Sequence, residues 1–280
     1  MRPISSKKIT ETIEQLCVEA AFELPEDVTD AIKKAAESES NASAKKILNQ
    51  LIENAEIAKN ENLPLCQDTG LTIVFVEQGA ETIIEGSIND AINTGVKQAY
   101  EKAYLRKSVV AEPLNKRKNT NSNTPAIIHH SIVPGEKLKL SVMLKGGGCE
   151  NKSKFKMFKP TADKQQIIDW IITVVKDAGA DACPPFILGI GIGGDFELSA
   201  IISKKALLRK IGEKNPDKFY AEMENEILTK TNTLNIGPQG LTGDTTALAC
   251  AIETAPCHIA SLPVAVNIEC HSHRHKTKTI

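Results

Sequence analysis

Apolar positions in the first sixty residues recur at helical intervals. Ile9, Ile13, Leu16, Cys17, Ala20, Ala21 and Leu24 fall three and four apart until Pro25 interrupts them, predicting an amphipathic helix with Cys17 on its buried stripe. A second helix is expected over residues 27–37. A third begins near Asn41, with Ile47, Leu48, Leu51, Ile52 and Ala55 on one face. After residue 62 the texture changes. "LTIVFVEQ" reads as a strand and "INDAINTGVKQAYEKAYL" as a helix, while "AIIHHSIV" and "KLKLSVML", separated by Pro134-Gly135, predict a hairpin. Further on come a helix over 163–178, the apolar run "PFILGIGI", helices over 196–211 and 217–232, and strand-like stretches over 245–253 and 258–268.

This pattern predicts an α/β chain: a helical N-terminal layer over residues 1–62, then an α/β domain over 63–280 whose mixed sheet is flanked by helices, all forming one structural unit. The sequence shows no internal repeat and no low-complexity linker.

Composition narrows the function classes. The chain has 280 residues with 34 basic and 35 acidic side chains, a formal charge of −1, so no global field recruits nucleic acid or an anionic membrane. No apolar run reaches the roughly eighteen residues of a membrane span, and "MRPISSKKITETIEQL" lacks a signal-peptide core, so the expected address is the cytoplasm. Seven cysteines, odd in number and irregularly spaced, do not form a disulfide scaffold. They are expected to be free thiols, metal ligands or nucleophiles.

Three of them stand where regular structure meets a loop: Cys66 in "LPLCQDTG", Cys183 before Pro184-Pro185, and Cys270 in "VNIECHSHR". No pair has C-x-x-C spacing, which argues against a zinc ribbon or finger and leaves a ligand set gathered from distant segments as the open metal reading. Glycine clusters lie at 145–153 ("LKGGGCENKS" with Lys145), in "GIGIGG", and in "NIGPQGLTGDTT". Successive backbone N–H groups in such turns suit a small anion. Arg106 and Arg117 are candidates for a carboxylate clamp. "GIGIGG" also satisfies G-x-G-x-x-G, but helix-like sequence follows where a dinucleotide fold needs a second strand ending in an acidic residue. The tail "CHSHRHKTKTI" reads as a solvated basic segment, with metal binding as the alternative.

Taken in order, LPLCQDTG, LRKSVV with NTPAIIH, LKGGGCEN, ACPPFILGIGIGG, KKALLRKIG, NIGPQGLTGDTTAL and HIASLPVAVNIECHSHR resemble the class I iron–sulfur hydro-lyases, in particular the α subunit of two-subunit fumarase. The resemblance runs from about Leu63 to Arg274 and makes residues 63–280 a cluster-binding domain. It implies a [4Fe–4S] cluster held by Cys66, Cys183 and Cys270, with one iron left open as a Lewis acid for reversible hydration of fumarate to (S)-malate. It further implies that Asp68 acts in proton transfer, that Gln67, Arg106 and Gly147 bind the substrate, and that His258 reaches an active site across a subunit interface. A separate β subunit, self-association and a small dicarboxylate substrate are expected, and neither nucleic acid nor membrane.

Cys149 departs from the commoner pattern, in which serine follows KGGG, and it is not counted as a ligand. The rival within the class is the L(+)-tartrate dehydratase α subunit, which shares CQDTG, ACPP and GPQGLTG; Lys145 and the intact HIASLPVAVNIECH favour fumarase. A dinucleotide-dependent oxidoreductase and a zinc-binding scaffold protein are more distant alternatives.

Overall fold

The computed structural model describes residues 2–280. In chain order the elements begin β1 (Arg2–Ser5), α1 (Ser6–Phe22), α2 (Glu26–Ser38), α3 (Ala42–Glu61), β2 (Leu71–Gly79), β3 (Thr82–Glu85) and α4 (Ile88–Lys102). They continue β4 (Ile127–Val133), β5 (Leu138–Lys145), α5 (Gly147–Glu150), β6 (Lys154–Phe158), α6 (Lys164–Ala178) and β7 (Phe186–Gly193). The last are α7 (Phe196–Ala206), α8 (Lys218–Asn232), β8 (Ala247–Ala255), β9 (Leu262–Glu269) and β10 (His275–Thr279). The fold is α/β, and the chain forms two compact units.

Among the described residues, the first unit comprises residues 2–25, 55–147 and 274–280. Its main sheet has the order β10-β5-β2-β4, and β1 pairs in parallel with β3 beside it. The predicted α1 stripe is buried as expected: Ile9, Ile13, Leu16, Cys17, Ala20 and Ala21 join Val74, Val76, Leu140, Val142 and Leu144 of the sheet in one core. Helix α4 crosses α1 closely. A Cβ on Gly95 would lie 2.6 Å from the Thr10 carbonyl, so only glycine permits that approach.

Two expectations fail in this unit. The hairpin does not form, because β2 lies between the two strands, parallel to β4 and antiparallel to β5. The turn chemistry of Pro134-Gly135 is real, but it says only that the chain reverses, and β2 offers both strands a better apolar neighbour. The tail is not a solvated segment either. Residues 275–279 form β10, antiparallel to β5, and Arg274 is only 2 % exposed. Alternating Lys and Thr suits an edge strand with one wet face, a pattern of low hydropathy that reads as a tail when the edge it joins is unknown.

The second unit comprises residues 26–54 and 148–273, with the sheet order β6-β9-β7-β8. Each unit thus has its own four-stranded mixed sheet, and β1 with β3 forms a separate two-stranded one. Ile168, Ile171, Val175, Phe186, Leu188, Ile190, Val264, Val266 and Ile268 fill this core from α6, β7 and β9. Helix α6 starts with a reciprocal cap, in which Asp163 Oδ1 accepts the Gln166 N–H and Gln166 Oε1 accepts the Asp163 N–H. Buried Glu39, just past α2, accepts N–H groups of Asn41, Asp244 and Thr245 and so anchors the GDTT turn.

Candidate active site

In the first unit, strand register assembles the LPLCQDTG turn. Leu71, which opens β2, lies opposite Lys145, which closes β5, so the turn entering β2 meets the KGGG turn leaving β5. Asp68 joins them. Its Oδ1 accepts the Gly70 N–H at 3.0 Å and its Oδ2 accepts the Gly147 N–H at 2.7 Å. Gly70 has φ of +76° and lies against the Lys145 backbone, where a Cβ would come within 2.7 Å of the carbonyl oxygen, so the turn requires glycine there.

The backbone of the turn is held from below. The Tyr100 hydroxyl donates to the Thr69 carbonyl at 2.7 Å, and Asn123 Nδ2 donates to the Gly70 carbonyl at 3.1 Å. The buried guanidinium of Arg274 donates from Nη1 to the Asp68 carbonyl at 2.6 Å. Thr69 Oγ1 donates to the Arg106 carbonyl at 2.5 Å, tying the segment that carries the exposed Arg106 side chain to the same turn. The Cys66 thiol is half-buried and lies 3.5 Å from Gln67 Oε1, while Gln67 itself is exposed. Cys66, Gln67, Asp68, Arg106 and Gly147 are thus gathered on one loop cluster of this unit. Arg274, Tyr100 and Asn123, which hold it, were missed from sequence. An arginine inside what reads as a polar tail gives no sign of burial.

In the second unit the same logic joins Cys183 and Cys270. Ile187, early in β7, lies opposite Glu269 at the end of β9, so the turn entering β7 adjoins the turn leaving β9. Cys183 is exposed, has φ of +55°, and offers its carbonyl to the His271 N–H at 3.4 Å, with His271 Nδ1 3.1 Å away. Gln239, in the GPQG turn, donates both its backbone N–H (2.8 Å) and its Nε2 (2.9 Å) to the Pro184 carbonyl.

Cys270 is half-buried beside buried Glu269, whose Oε1 accepts the Cys270 N–H at 3.1 Å. Cys149 Sγ lies 3.3 Å from that same oxygen. Gln239 and Glu269 gave no signal in sequence, because neither follows a recognisable spacing.

His258 does not join this group within the unit. It is exposed in the turn before β9, where its Nδ1 accepts the Ala260 N–H, while Cys270 follows the far end of that strand, about 25 Å away at the usual strand rise.

Burial sorts the other thiols. Cys17 is fully buried and burial pushes its pKa upward; Cys250 is raised chiefly by burial and further by the Glu224 charge. Both are packing residues. The glycines of "GIGIGG" also have a packing role. A Cβ on Gly189 would lie 2.1 Å from the Ser203 carbonyl, and one on Gly191 would lie 2.0 Å from that of Ser199, so these glycines let α7 lie directly on β7.

In the first unit a turn rich in backbone donors fixes a carboxylate, an arrangement suited to a small polar ligand, and in the second the thiols at a sheet end are of the kind that hold a soft metal. Comparison with known proteins gives the family. The fumarate hydratase (fumerase) family model matches residues 10–279. The putative L(+)-tartrate dehydratase subunit alpha of Methanocaldococcus jannaschii is 42% identical over 281 residues, covering 98% of each chain. The L(+)-tartrate dehydratase subunit alpha of Escherichia coli strain K12 is 32% identical over 272 residues, covering 96% of this chain and 90% of that one. The chain belongs to the fumarate hydratase family and is a hydro-lyase.

Proposed function

We propose that this chain is the α subunit of an iron–sulfur hydro-lyase that dehydrates L(+)-tartrate, completed by a separate β subunit. The observation carrying this reading is the end-to-end similarity to chains named as tartrate dehydratase α subunits. This corrects the weighting made from sequence, which placed fumarate first. Hydration of fumarate is the second reading, supported by the name of the matching family and by Lys145 and the HIASLPVAVNIECH segment.

Cys66, Cys183 and Cys270 would hold the [4Fe–4S] cluster. The donor set fits: thiolates are the ordinary ligands of such clusters, and all three stand in turns at strand ends with none sealed away as Cys17 is. When bound, the cluster supplies an open iron that acts as a Lewis acid toward the hydroxyl group of the substrate. The chain's own residues bind and orient. Each Asp68 oxygen accepts one backbone N–H and keeps a lone pair to receive a substrate hydroxyl proton. The exposed Arg106 fork suits bidentate capture of a carboxylate, and Gly147 leaves room for backbone to approach the substrate. His258 would act from a second copy of the chain.

The test is anaerobic reconstitution of the chain with its β subunit, followed by iron and sulfide analysis and rates on L(+)-tartrate and fumarate. About four irons per chain are expected. Cys66→Ser, Cys183→Ser and Cys270→Ser should each lower that content, and Cys17→Ser should not. A higher kcat/KM on tartrate supports the first reading, and a higher one on fumarate replaces it with the second. A parent chain that takes up no iron sinks both.

A further inference from the structure

We infer that the cluster-free chain carries a mononuclear site for a soft divalent cation of the zinc class, formed by Cys149 Sγ, Glu269 Oε1 and Cys270 Sγ. The inference goes beyond the proposed function and does not depend on which substrate is used. It concerns the chain before any cluster is inserted.

The three atoms lie within 4.8 Å of one another. Cys149 Sγ is 3.3 Å and Cys270 Sγ is 3.7 Å from the shared Glu269 oxygen. A tetrahedral zinc, with Zn–S of about 2.3 Å and Zn–O of about 2.1 Å, sets its sulfur and oxygen ligands about 3.6 Å apart and two sulfurs about 3.8 Å apart. The sulfur–oxygen separations present bracket the required value, and the two sulfurs, within 4.8 Å of each other, need close by no more than about 1 Å to reach it.

The frame is also stiff. Cys149 sits on α5 and is 3 % exposed; Glu269, 1 % exposed, is held in register opposite Ile187; and the Cys270 N–H fixes the carboxylate that would bind. Two thiolates with one carboxylate select a borderline or soft ion over magnesium or calcium, which want oxygen ligands. Three protein ligands leave a fourth position for water. Cys270 belongs both to this set and to the proposed cluster set, so occupancy by the lone cation and by the cluster exclude each other. Cys149, which replaces the expected serine, is what makes the second set possible.

The experiment titrates the full chain, stripped of metal and kept reduced under anaerobic conditions, with Co2+ as the spectroscopic probe and then with competing Zn2+. One equivalent should produce sulfur-to-cobalt charge-transfer absorption and the visible bands of a tetrahedral site, lost on adding Zn2+. Cys149→Ser and Glu269→Gln should each weaken Co2+ binding on the order of tenfold or more, the size of effect seen even for groups one shell removed from a metal. Cys66→Ser and Cys183→Ser should leave it unchanged. Far-UV circular dichroism confirms that each variant is folded, and the two substitutions on different elements guard against one failing.

Parent-like affinity in both Cys149→Ser and Glu269→Gln overturns the site. So does an equal loss in Cys183→Ser, which would mean that Co2+ uses the cluster ligands. Iron uptake by Cys149→Ser tests the hydro-lyase reading separately, because Cys66, Cys183 and Cys270 remain in place.

Discussion

The sheets of the two units, taken side by side, have the same pairing pattern. In the first, β10 and β5 are antiparallel, β5 and β2 are antiparallel, and β2 and β4 are parallel. In the second, β6 and β9 are antiparallel, β9 and β7 are antiparallel, and β7 and β8 are parallel. Each parallel pair is joined through helices, α4 in one unit and α7 with α8 in the other, and each third strand returns on the opposite side of the first. Candidate chemistry sits at the equivalent place in both: the turn entering the first strand, against the turn leaving the third. The edge strand differs, following the core strands in one unit and preceding them in the other. The contents differ too, since the first unit sets one thiol, Cys66, beside a carboxylate held by backbone donors, and the second sets two thiols, Cys149 and Cys270, around a buried glutamate.

The sharpest break of this comparison lies beneath the helices. Both units seat a helix on glycine, at Gly95 in the first and at Gly189 and Gly191 in the second, but the α7–β7 approach is the closer. Gly191→Val should cost about 3 kcal/mol, the upper range for overpacking a core, read as a lowered urea midpoint. Gly135→Val is the control for a surface turn, because a Cβ there meets nothing within 4 Å and only its φ of +101° is strained. A Gly191→Val midpoint equal to the parent's would mean that α7 can lift off β7 without penalty.

The support of the two turns should differ in size. Arg274→Met removes a buried charged donor from the Asp68 carbonyl, and the loss should be about 2 kcal/mol in stability, with an activity loss beyond that if Asp68 moves. Gln239→Leu in the second unit removes a neutral donor from the Pro184 carbonyl, which still accepts the backbone N–H of the same residue; about 1 kcal/mol is expected. Chemical denaturation of both variants measures the contrast. A costlier Gln239→Leu would reverse the view that charge holds the first turn and backbone the second.

These supports also mark what the sequence could reveal. The α1 stripe, the span of α6 and the β2, β5 and β7 runs were legible because each is a local pattern whose period or spacing states its own environment. The hairpin was misread because pairing is a choice among partners, and no segment states which neighbour wins. β10 was misread as a tail for the same reason. Within the candidate site, Cys66, Asp68 and Gly147 stood out through their turn residues, and Cys183 and Cys270 through their places at strand ends. Glu269, Arg274 and Gln239 did not, since each acts on a partner 55 or more positions away. The repeated pairing pattern is equally silent in sequence, because unrelated side chains satisfy the same ladder of backbone bonds.

The smallest difference to test is at the surface. Each unit has a surface carboxylate, Glu112 in the first and Asp244 in the second, that accepts backbone N–H groups. Glu112 in the first has its pKa lowered first by the Leu114 N–H and then by that of Lys116; Asp244 in the second is lowered first by the Ser40 hydroxyl and then by its N–H. A folded-state value below the unfolded one means the stabilisation is present above the unfolded carboxylate range of about 4 and is lost as pH falls through the folded value. Glu112→Gln and Asp244→Asn should therefore be less stable than the parent at pH 7, with the deficit shrinking as pH falls below about 4. Ser40→Ala should reproduce part of the Asp244 effect and none of the Glu112 effect. Urea midpoints measured from pH 7 down to acid decide it: a deficit that stays constant with pH would assign the loss to altered turn geometry, and charge would then contribute nothing at either position.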